Sequence, residues 1–413
     1  MPPVLLDRLP SLSEFLTESV ASVQQREASQ LDDLLREHNN QCIIFGAGTL
    51  GRKAVSLMRE IGVEPLAIVD SNPARWGSEI TGVVVHSMAE AFVIYGSDPI
   101  YFVTIWNDFH WFRDTQAKLK ALGCTAVSSY APIFWRFGDR FMDLLLLNEP
   151  AHRLYEHLDE VYTAENLWAD DESLATYRAN ILWRALGDPS HLPFPAPANT
   201  YFPLDIFKLN SQESIIDCGA FDGDTIRMLL TQAGPQFKAI HAVEADTVSL
   251  EKMRAYLATL DPETAQKVHI LDCAVGAERC TLQFVMTGAL TSRSADTAEA
   301  KDVACIPIDE LFAHQPVSFI KMDIEGAEYD ALLGARAVIV RDQPILAICV
   351  YHTQSDIWRI PLLMRSMNPD YQFFLRSYDG DGFQTVVYAV PPHRQLTTVE
   401  RAMATHPRKQ FTA

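Results

Sequence analysis

An acidic, glycine-containing stretch offers the most recognisable chemistry in the chain: Ser214-Ile-Ile-Asp-Cys-Gly-Ala-Phe-Asp-Gly-Asp-Thr225. Asp217 follows apolar residues typical of a buried strand and is expected where that strand ends. Gly219 and Gly223 permit tight turns, and Thr225 opens an amphipathic, helix-like segment. Ligands bind at such corners of open α/β sheets, so the stretch predicts a ligand site.

The charges of this turn restrict the ligand. Asp217, Asp222 and Asp224 would repel a phosphate, and no Lys or Arg lies within the turn. S-adenosylmethionine would fit, because its amino and sulfonium groups are positive, its ribose offers hydroxyls and it has no phosphate. Glu244 lies 21 residues after Gly223 and ends a second apolar strand, where its carboxylate could accept both ribose hydroxyls.

Two further predicted strands end in polar residues that would reach the same edge. Asp272 follows one strand and could accept a hydrogen bond from the adenine amine, while Cys273 flanks the ring. The next strand, in the stretch that begins at Val317, ends near Asp323, and Asp323 and Glu325 are expected to project from the ligand edge.

His352 stands just beyond another apolar strand and is the first candidate for a catalytic base. If S-adenosylmethionine is a methyl donor here, the acceptor must be aligned and must lose its proton, and an imidazole can be neutral near pH 7. Asp323 is the second candidate, as the base or as the group that orients His352. A packing or capping histidine is the alternative. Asp323 and Glu325 would suit Mg²⁺, but two carboxylates do not specify a metal, so none is predicted.

The first half of the chain carries a second motif, Gln41-Cys-Ile-Ile-Phe-Gly-Ala-Gly-Thr-Leu-Gly51, with the glycine spacing of a nucleotide-binding fingerprint. Gly46, Gly48, Gly51 and the strand-ending Asp70 would form a second site, for a nucleotide, dinucleotide or nucleotide sugar. Alternatively, the glycines serve only close packing of helix on strand. The strands expected after Asp70, Val83 to Val85 and Ile100 to Ile105, are few for a full dinucleotide domain.

Composition excludes several classes of protein. The 413 residues carry a formal charge of −19, with a pI near 5.0, which argues against a nucleic-acid partner. No apolar run is long enough to cross a bilayer and no signal peptide is recognisable, so a soluble, cytoplasmic protein is expected. The seven scattered cysteines favour buried free thiols over a metal site or disulfides.

These patterns predict an α/β protein with two Rossmann-like, doubly wound sheets joined by a helical connector. The second sheet should be a class I methyltransferase fold, because Tyr371 to Tyr378 and Gln384 to Val390 predict a closing antiparallel hairpin. A helix over Leu12 to Glu37 is expected to dock or to form a homodimer. The expected divisions are an N-terminal helical segment 1–40, a Rossmann-like domain 41–130, a helical and Pro-rich connector 131–198, a methyltransferase domain 199–395 and a tail 396–413.

The motifs at residues 216–225, 241–245 and 320–328 together resemble the FkbM family of S-adenosylmethionine-dependent methyltransferases, over roughly the second half of the chain. The block Lys-Met-Asp-Ile-Glu-Gly-Ala-Glu is the most specific part. The resemblance implies O-methylation of a sugar, glycan or natural-product hydroxyl. This chain departs from the family at Ala245, where the family usually has proline, and at Ser377 and Gln384, where histidine and glutamate are common.

The resemblance and the strand ends together predict these cofactor contacts: Asp217, Gly219, Ala220, Phe221, Asp222, Gly223, Asp224, Thr225, Glu244, Asp272, Cys273 and Glu325. Acceptor loops are expected at Tyr201 to Asp205, Thr287 to Asp302 and Tyr351 to Trp358. Two alternatives stay open. Ser377 and Gln384 would suit a non-catalytic protein that binds a cofactor or nucleotide sugar, and the first motif would suit an NAD(P)-dependent oxidoreductase-like domain fused to a methyltransferase.

Overall fold

The structure is a computed structural model that describes residues 11–106, 110–142, 149–193, 196, 200–234, 236–284, 301–397 and 400–401. Most of the expected acceptor loop from Thr287 to Asp302 and most of the tail 396–413 lie outside the described residues.

Strands of both sheets are short and mostly buried, as parallel strands covered by helices must be. The strands are β1 Cys42–Phe45, β2 Ala67–Val69, β3 Glu79–Ile80, β4 Val83–His86, β5 Ile100–Val103, β6 Ala126–Ser129, β7 Ser214–Cys218, β8 Ala239–Glu244, β9 Val268–Asp272, β10 Cys280–Phe284, β11 Lys301–Cys305, β12 Phe319–Met322, β13 Ile345–Cys349, β14 Gln372–Ser377 and β15 Thr385–Val390.

Helices cover the sheets and fill the connector between them. The α-helices are α1 Leu12–Phe15, α2 Val20–Glu37, α3 Thr49–Glu60, α4 Met88–Tyr95, α5 Phe112–Leu122, α6 Ala131–Phe137, α7 Ala151–Glu156, α8 Leu158–Glu165, α9 Asp171–Leu186, α10 Asp224–Ala233, α11 Thr247–Leu257, α12 Pro262–Gln266, α13 Ile308–Leu311, α14 Glu328–Leu333, α15 Arg336–Asp342 and α16 Asp356–Met367. Among the described residues, no helix is both long and apolar enough to cross a membrane.

The first sheet has six strands in the order β3-β4-β2-β1-β5-β6, parallel except for the β3–β4 pair. The expectation of few strands after Asp70 was therefore wrong. β3 has only two residues, and β6, Ala-Val-Ser-Ser, is too polar to stand out by hydropathy. The glycine turn after β1 lies at the carboxyl edge of this sheet, between β2 and β5.

The second sheet has the order β14-β15-β13-β12-β7-β8-β9, with β14 and β15 as an antiparallel hairpin and the remaining strands parallel. This is the strand order of a class I methyltransferase, as the sequence predicted. A separate two-stranded ribbon, β10 with β11, was not expected. Both sheets thus present several strand ends at one edge, where ligands of α/β proteins bind.

The N-terminal helical segment packs within the chain. The expected single helix is two, α1 and α2, and the second begins where Ser19 accepts a hydrogen bond from the Ser22 N–H. Val23 packs in the core of the second sheet and connector, while Leu31 and Leu35 pack in the core of the first sheet. The apolar face that favoured a dimer is therefore buried against the chain itself. The domain boundaries expected from the sequence stay predictions.

Candidate functional site

The carboxyl ends of β7, β8, β9, β12 and β13 form one polar edge of the second sheet. Strand register brings the predicted residues together: Glu244 pairs with Asp272 across β8 and β9, and Asp217 pairs with Lys321 across β7 and β12. The edge therefore collects side chains from segments more than a hundred residues apart, from Asp217 to His352.

Gly219 allows two of these strand ends to meet. It has a φ of +75°, and an added Cβ would lie 1.9 Å from the carbonyl oxygen of Asp323. Neither the conformation nor the space accepts a side chain. The first glycine of the motif thus lets the backbone of Asp323 lie directly beside the turn.

Glu244 holds the turn with its carboxylate. Oε2 accepts the N–H of Phe221 at 2.8 Å, and Oε1 accepts those of Ala245 and Asp246 at 2.8 Å each. Burial raises the pKa of Glu244, although these hydrogen bonds oppose the rise. The three bonds use three of about four lone-pair sites of a carboxylate, so about one, on Oε2, is left for a ligand.

The neighbouring strand end is more open. Asp272 is exposed at the end of β9, beside Glu244, while Cys273 is buried and burial raises the pKa of its thiol to about 11. A carboxylate on the surface with an apolar neighbour is the arrangement that the adenine contact requires. That contact stays a prediction.

The acidic turn is less negative than its sequence suggests. Asp217 is fully buried inside β7, one residue short of the strand end, and its Oδ1 lies 3.0 Å from the Lys321 ammonium. Burial raises the pKa of Asp217 to about 6. Burial would lower the pKa of Lys321, but attraction to Asp217 outweighs it and raises that pKa, as in a buried ion pair. Asp222 pairs with Arg227.

The electrostatic argument for a cationic ligand therefore needs correction. Two of the three carboxylates of the turn pair with cations from outside it, Lys321 and Arg227. The remaining positions shape the turn. Ala220 and Thr225 are buried, Gly223 has a φ of +87° at the start of α10, and Asp224 accepts the Thr225 N–H at 2.8 Å.

Asp323 lies at the centre of the part of this polar edge where the acceptor is expected, which we call the reaction edge. Its Oδ2 accepts the hydroxyl of Tyr201 at 2.7 Å, and its Oδ1 accepts that of Tyr351 at 3.1 Å. Burial alone would raise the pKa of Asp323, but His352, Lys321 and the two phenols outweigh it and lower that pKa. Asp323 is therefore an ionised, firmly positioned acceptor.

His352 lies among carboxylates. Its Nδ1 is 2.9 Å from Glu328, and its Nε2 is 3.3 Å from Asp323 and 3.9 Å from Glu325. Burial would lower the pKa of His352, but Glu328, Asp323 and Glu325 together raise it to about 10. The carboxylates stabilise the charged form of the ring, which weakens the argument for His352 as the base. A catalytic role of His352 stays a prediction.

The stretch from Tyr201 to Asp205 covers this edge. The rings of Tyr201 and Phe202 are buried, and the Lys321 ammonium lies 5.0 Å from the centre of the Tyr201 ring. Asp205 is anchored by Arg376 in β14 at 3.2 Å. The stretch thus both packs on the sheet and touches the reaction edge through a hydroxyl.

Three aromatic rings in contact extend from this edge toward the first sheet. Tyr351, bonded to Asp323, packs edge-on against Phe383 at 6.2 Å, and Phe383 packs against Trp106 at 4.8 Å. Trp106 follows β5 and is 37% exposed. A series of ring contacts therefore connects the reaction edge with the residues that follow β5.

The glycines of the first motif have separate roles. An added Cβ at Gly51 would lie 1.8 Å from the Gly46 carbonyl oxygen, so Gly51 is needed for packing. Gly48 caps α3, has ordinary φ and meets no atom within 4 Å. Asp70 accepts the N–H of Ala47 at 2.9 Å and pairs with Arg75 at 3.2 Å.

A cavity of about 410 Å³ opens beside this turn. Its lining includes Phe45, Ser71, Ile105, His110 and Trp111, from the ends of β1, β2 and β5 and the start of α5. Its volume lies in the range of small-molecule sites.

Sequence reasoning gave no role to Lys321, Glu328 or Arg227. Lys321 could have been noticed, since a lysine in an apolar strand must find a buried anion and Asp217 interrupts another apolar strand. Nothing in the sequence marks Glu328 as the partner of His352.

Comparisons with known proteins agree with this geometry. Residues 217–379 match the family model for the methyltransferase FkbM domain. The crystal structure of methyltransferase FkbM from Methylobacillus flagellatus KT superposes with a TM-score of 0.72 at 21% identity, over 94% of this chain and 100% of that chain. The predicted fold class is thereby confirmed. None of the curated proteins matches the chain.

Two partial similarities are too weak to carry an argument. RSP, a Rex-family repressor solved with beta-NADH, covers 22% of this chain and 44% of its own at 26% identity and a TM-score of 0.19. Fibrillarin from Aeropyrum pernix, solved with S-adenosyl-L-methionine, covers 46% of this chain and 73% of its own at 13% identity and a TM-score of 0.29. Residues 217–379 thus match the model of the FkbM methyltransferase domain, and the structural match over nearly the whole chain shows that the fold is the same.

Proposed function

We propose that the protein transfers a methyl group from S-adenosylmethionine to a hydroxyl of a sugar, glycan or natural product. The main support for this cofactor is the position of Glu244 directly opposite Asp272. The two carboxylates lie on adjacent strand ends beside a glycine turn. Ribose and adenine of one nucleoside can contact two such neighbours at once.

The geometry refines the expected cofactor contacts. Because Glu244 already accepts three backbone N–H groups, we expect one ribose hydroxyl, rather than two, to bond to its Oε2. Asp272 supports no part of the turn among the described residues and is free to contact the adenine amine.

The acceptor is expected at Asp323. This carboxylate is ionised and held by Tyr201 and Tyr351, so it can accept the hydrogen bond of an incoming hydroxyl and orient its oxygen toward the methyl group. Its lowered pKa makes it a weak base, so Asp323 would take up the hydroxyl proton only as the methyl group is transferred, while His352, 3.3 Å away, holds it in place. The exposed face of Trp106 and the Phe383 ring support a sugar, since aromatic faces pack well on flat apolar surfaces of such rings.

Titration calorimetry with S-adenosylmethionine tests the cofactor. Glu244→Ala should weaken binding by roughly 1–3 kcal/mol, because a ribose hydroxyl loses its acceptor. Glu244→Ala also removes the hydrogen bonds that hold the turn. Asp272→Ala is therefore the more specific variant: it should weaken binding of S-adenosylmethionine without changing thermal stability. Glu79→Ala, an exposed carboxylate of the first sheet, is the matched control. Unchanged affinity in both test variants would remove this strand pair from the site.

Acceptors are then screened by release of S-adenosylhomocysteine with free sugars, nucleotide sugars and hydroxylated natural products. Cofactor binding without turnover on any of them would favour the non-catalytic binding protein.

A second ligand, a nucleotide or nucleotide sugar, is proposed for the first sheet. Gly48 carries this proposal, because neither its φ nor its surroundings explain a glycine there, whereas a ligand at the start of α3 would. The same calorimetry with NAD⁺, NADPH and nucleotide sugars tests it. Gly48→Arg should abolish such binding and leave S-adenosylmethionine binding unchanged.

A further inference from the structure

Three carboxylates surround the buried imidazole of His352. They are Asp323, Glu325 and Glu328, at 2.9 to 3.9 Å from the ring nitrogens. The Lys321 ammonium, on the strand that ends just before Asp323, pairs with Asp217.

One ring nitrogen of the imidazole lacks a hydrogen-bond partner. The His352 side chain is 5% exposed, Nδ1 lies 2.9 Å from Glu328, and Nε2 makes no hydrogen bond to the described residues. Buried polar atoms nearly always have a hydrogen-bond partner or a ligand. Nε2 points to the side where Asp323 and Glu325 are about a quarter exposed.

The distances match those between ligands of one ion. Two atoms at about 2.1 Å from a metal lie about 3.0 Å apart at a right angle and about 3.4 Å apart at a tetrahedral angle. Nε2 lies 3.3 Å from Asp323 Oδ1, and Glu325 Oε1, at 3.9 Å, needs only a small approach. Asp323, Glu328 and His352 each offer a ligand atom within 4.8 Å of the others.

We propose that His352 Nε2, Asp323 and Glu325 form a site for a divalent transition-metal ion of the Mn²⁺ type, which takes the place of the proton on Nε2. One imidazole and two carboxylates suit Mn²⁺ better than the all-oxygen preference of Mg²⁺. Glu328 is the positioning residue: it accepts the N–H groups of Ile324 and Gly326 and faces Nδ1, so it orients the ring.

Only the catalytic role of this site rests on the proposed function. A bound ion would hold the acceptor hydroxyl beside Asp323 and lower the pKa of that hydroxyl. Ion binding itself requires neither the cofactor nor the acceptor.

The test is Mn²⁺ binding to the full, chelator-treated protein, followed by electron paramagnetic resonance without S-adenosylmethionine. We expect one bound ion per chain, and His352→Gln should weaken its binding at least 10-fold. His314→Gln, an exposed histidine away from the edge, should leave it unchanged.

His352→Gln changes a buried side chain and could misfold, so a second variant, Glu325→Gln, is measured as well. The Glu325 side chain is 26% exposed, so its replacement should leave the fold intact while weakening Mn²⁺ binding. The proposal is overturned if Mn²⁺ binds with equal affinity to the parent protein and to both site variants, or does not bind. Ion binding that persists where S-adenosylmethionine fails to bind would refute the proposed cofactor and leave the metal site standing.

Discussion

Single residues at the reaction edge are fixed by contacts beneath the surface. Gly219 is required because the Asp323 backbone lies where its side chain would be. Lys321 is required because Asp217 would otherwise be a buried, uncompensated charge. The residues expected to touch ligand, Glu244 and Asp323, can do so only because these buried neighbours hold their strand ends together.

Replacing Lys321 tests this support. Lys321→Met should lower the free energy of unfolding by about 3–5 kcal/mol, since Asp217 is left buried without its partner. The double variant Lys321→Met with Asp217→Asn should recover part of this loss, because the uncompensated charge is gone. Urea unfolding of the parent, the single variant and the double variant measures both quantities. A double variant no more stable than Lys321→Met would show that the ion pair is not the cause.

The strands and helices around the site are joined by similar buried groups. Arg376 in β14 lies within 3.3 Å of Asp170, Glu172 and Asp205, so one side chain links the hairpin, the start of α9 and the stretch over the reaction edge. Attraction to these carboxylates raises the pKa of Arg376 against the opposing effect of burial.

A buried histidine in β8 gives the second sheet a pH dependence. His241 stacks on His269 and packs against Phe312, and burial lowers its pKa to about 4. Below about pH 6.5 the unfolded chain binds a proton there that the folded chain does not, so stability falls as pH falls from about 6.5 to about 4.

We therefore expect the free energy of unfolding to drop less steeply in His241→Gln than in the parent. The difference between pH 7 and pH 5 should be about 2 kcal/mol smaller in the variant. Urea unfolding at the two pH values measures it. His314→Gln, at an exposed position, should follow the parent, and equal slopes in all three proteins would exclude His241 as the source.

At the scale of the whole molecule, the hairpin of the second sheet contacts the residues that open α5, beside the first sheet. The turn after β14 packs Gly380 against the Trp111 ring and the His110 carbonyl oxygen. The Phe112 N–H donates to Asp381 at 3.4 Å. His110 and Trp111 also line the cavity beside the first glycine turn, so a ligand there would lie next to the hairpin.

Gly380→Ala probes this junction. Its Cβ would lie 2.4 Å from the Trp111 ring and 2.6 Å from the His110 oxygen, so the hairpin must move. We expect a loss of roughly 1–3 kcal/mol of stability by calorimetry. Gly48→Ala, with open space around it, should unfold like the parent. A Gly380→Ala protein as stable as Gly48→Ala would mean that the contact does not hold the two sheets together.

The sequence by itself determined the architecture. Both glycine turns, the strands of the second sheet and the closing hairpin were predictable, because they follow from local patterns of apolar residues and from the backbone freedom of glycine. The short β3 and the polar β6 escaped, since neither has enough apolar residues to form a pattern. The candidate site was predictable to the level of which strand ends contribute to it.

Only the tertiary structure decided the charges and partners within that site. The sequence shows Asp217, Asp222 and Asp224 as three like charges, but folding places Lys321 and Arg227 beside two of them. It likewise places His352 among three carboxylates, which raise its pKa. The reason is physical: a pKa depends on burial and on charges within a few ångströms, and these neighbours come from distant parts of the chain.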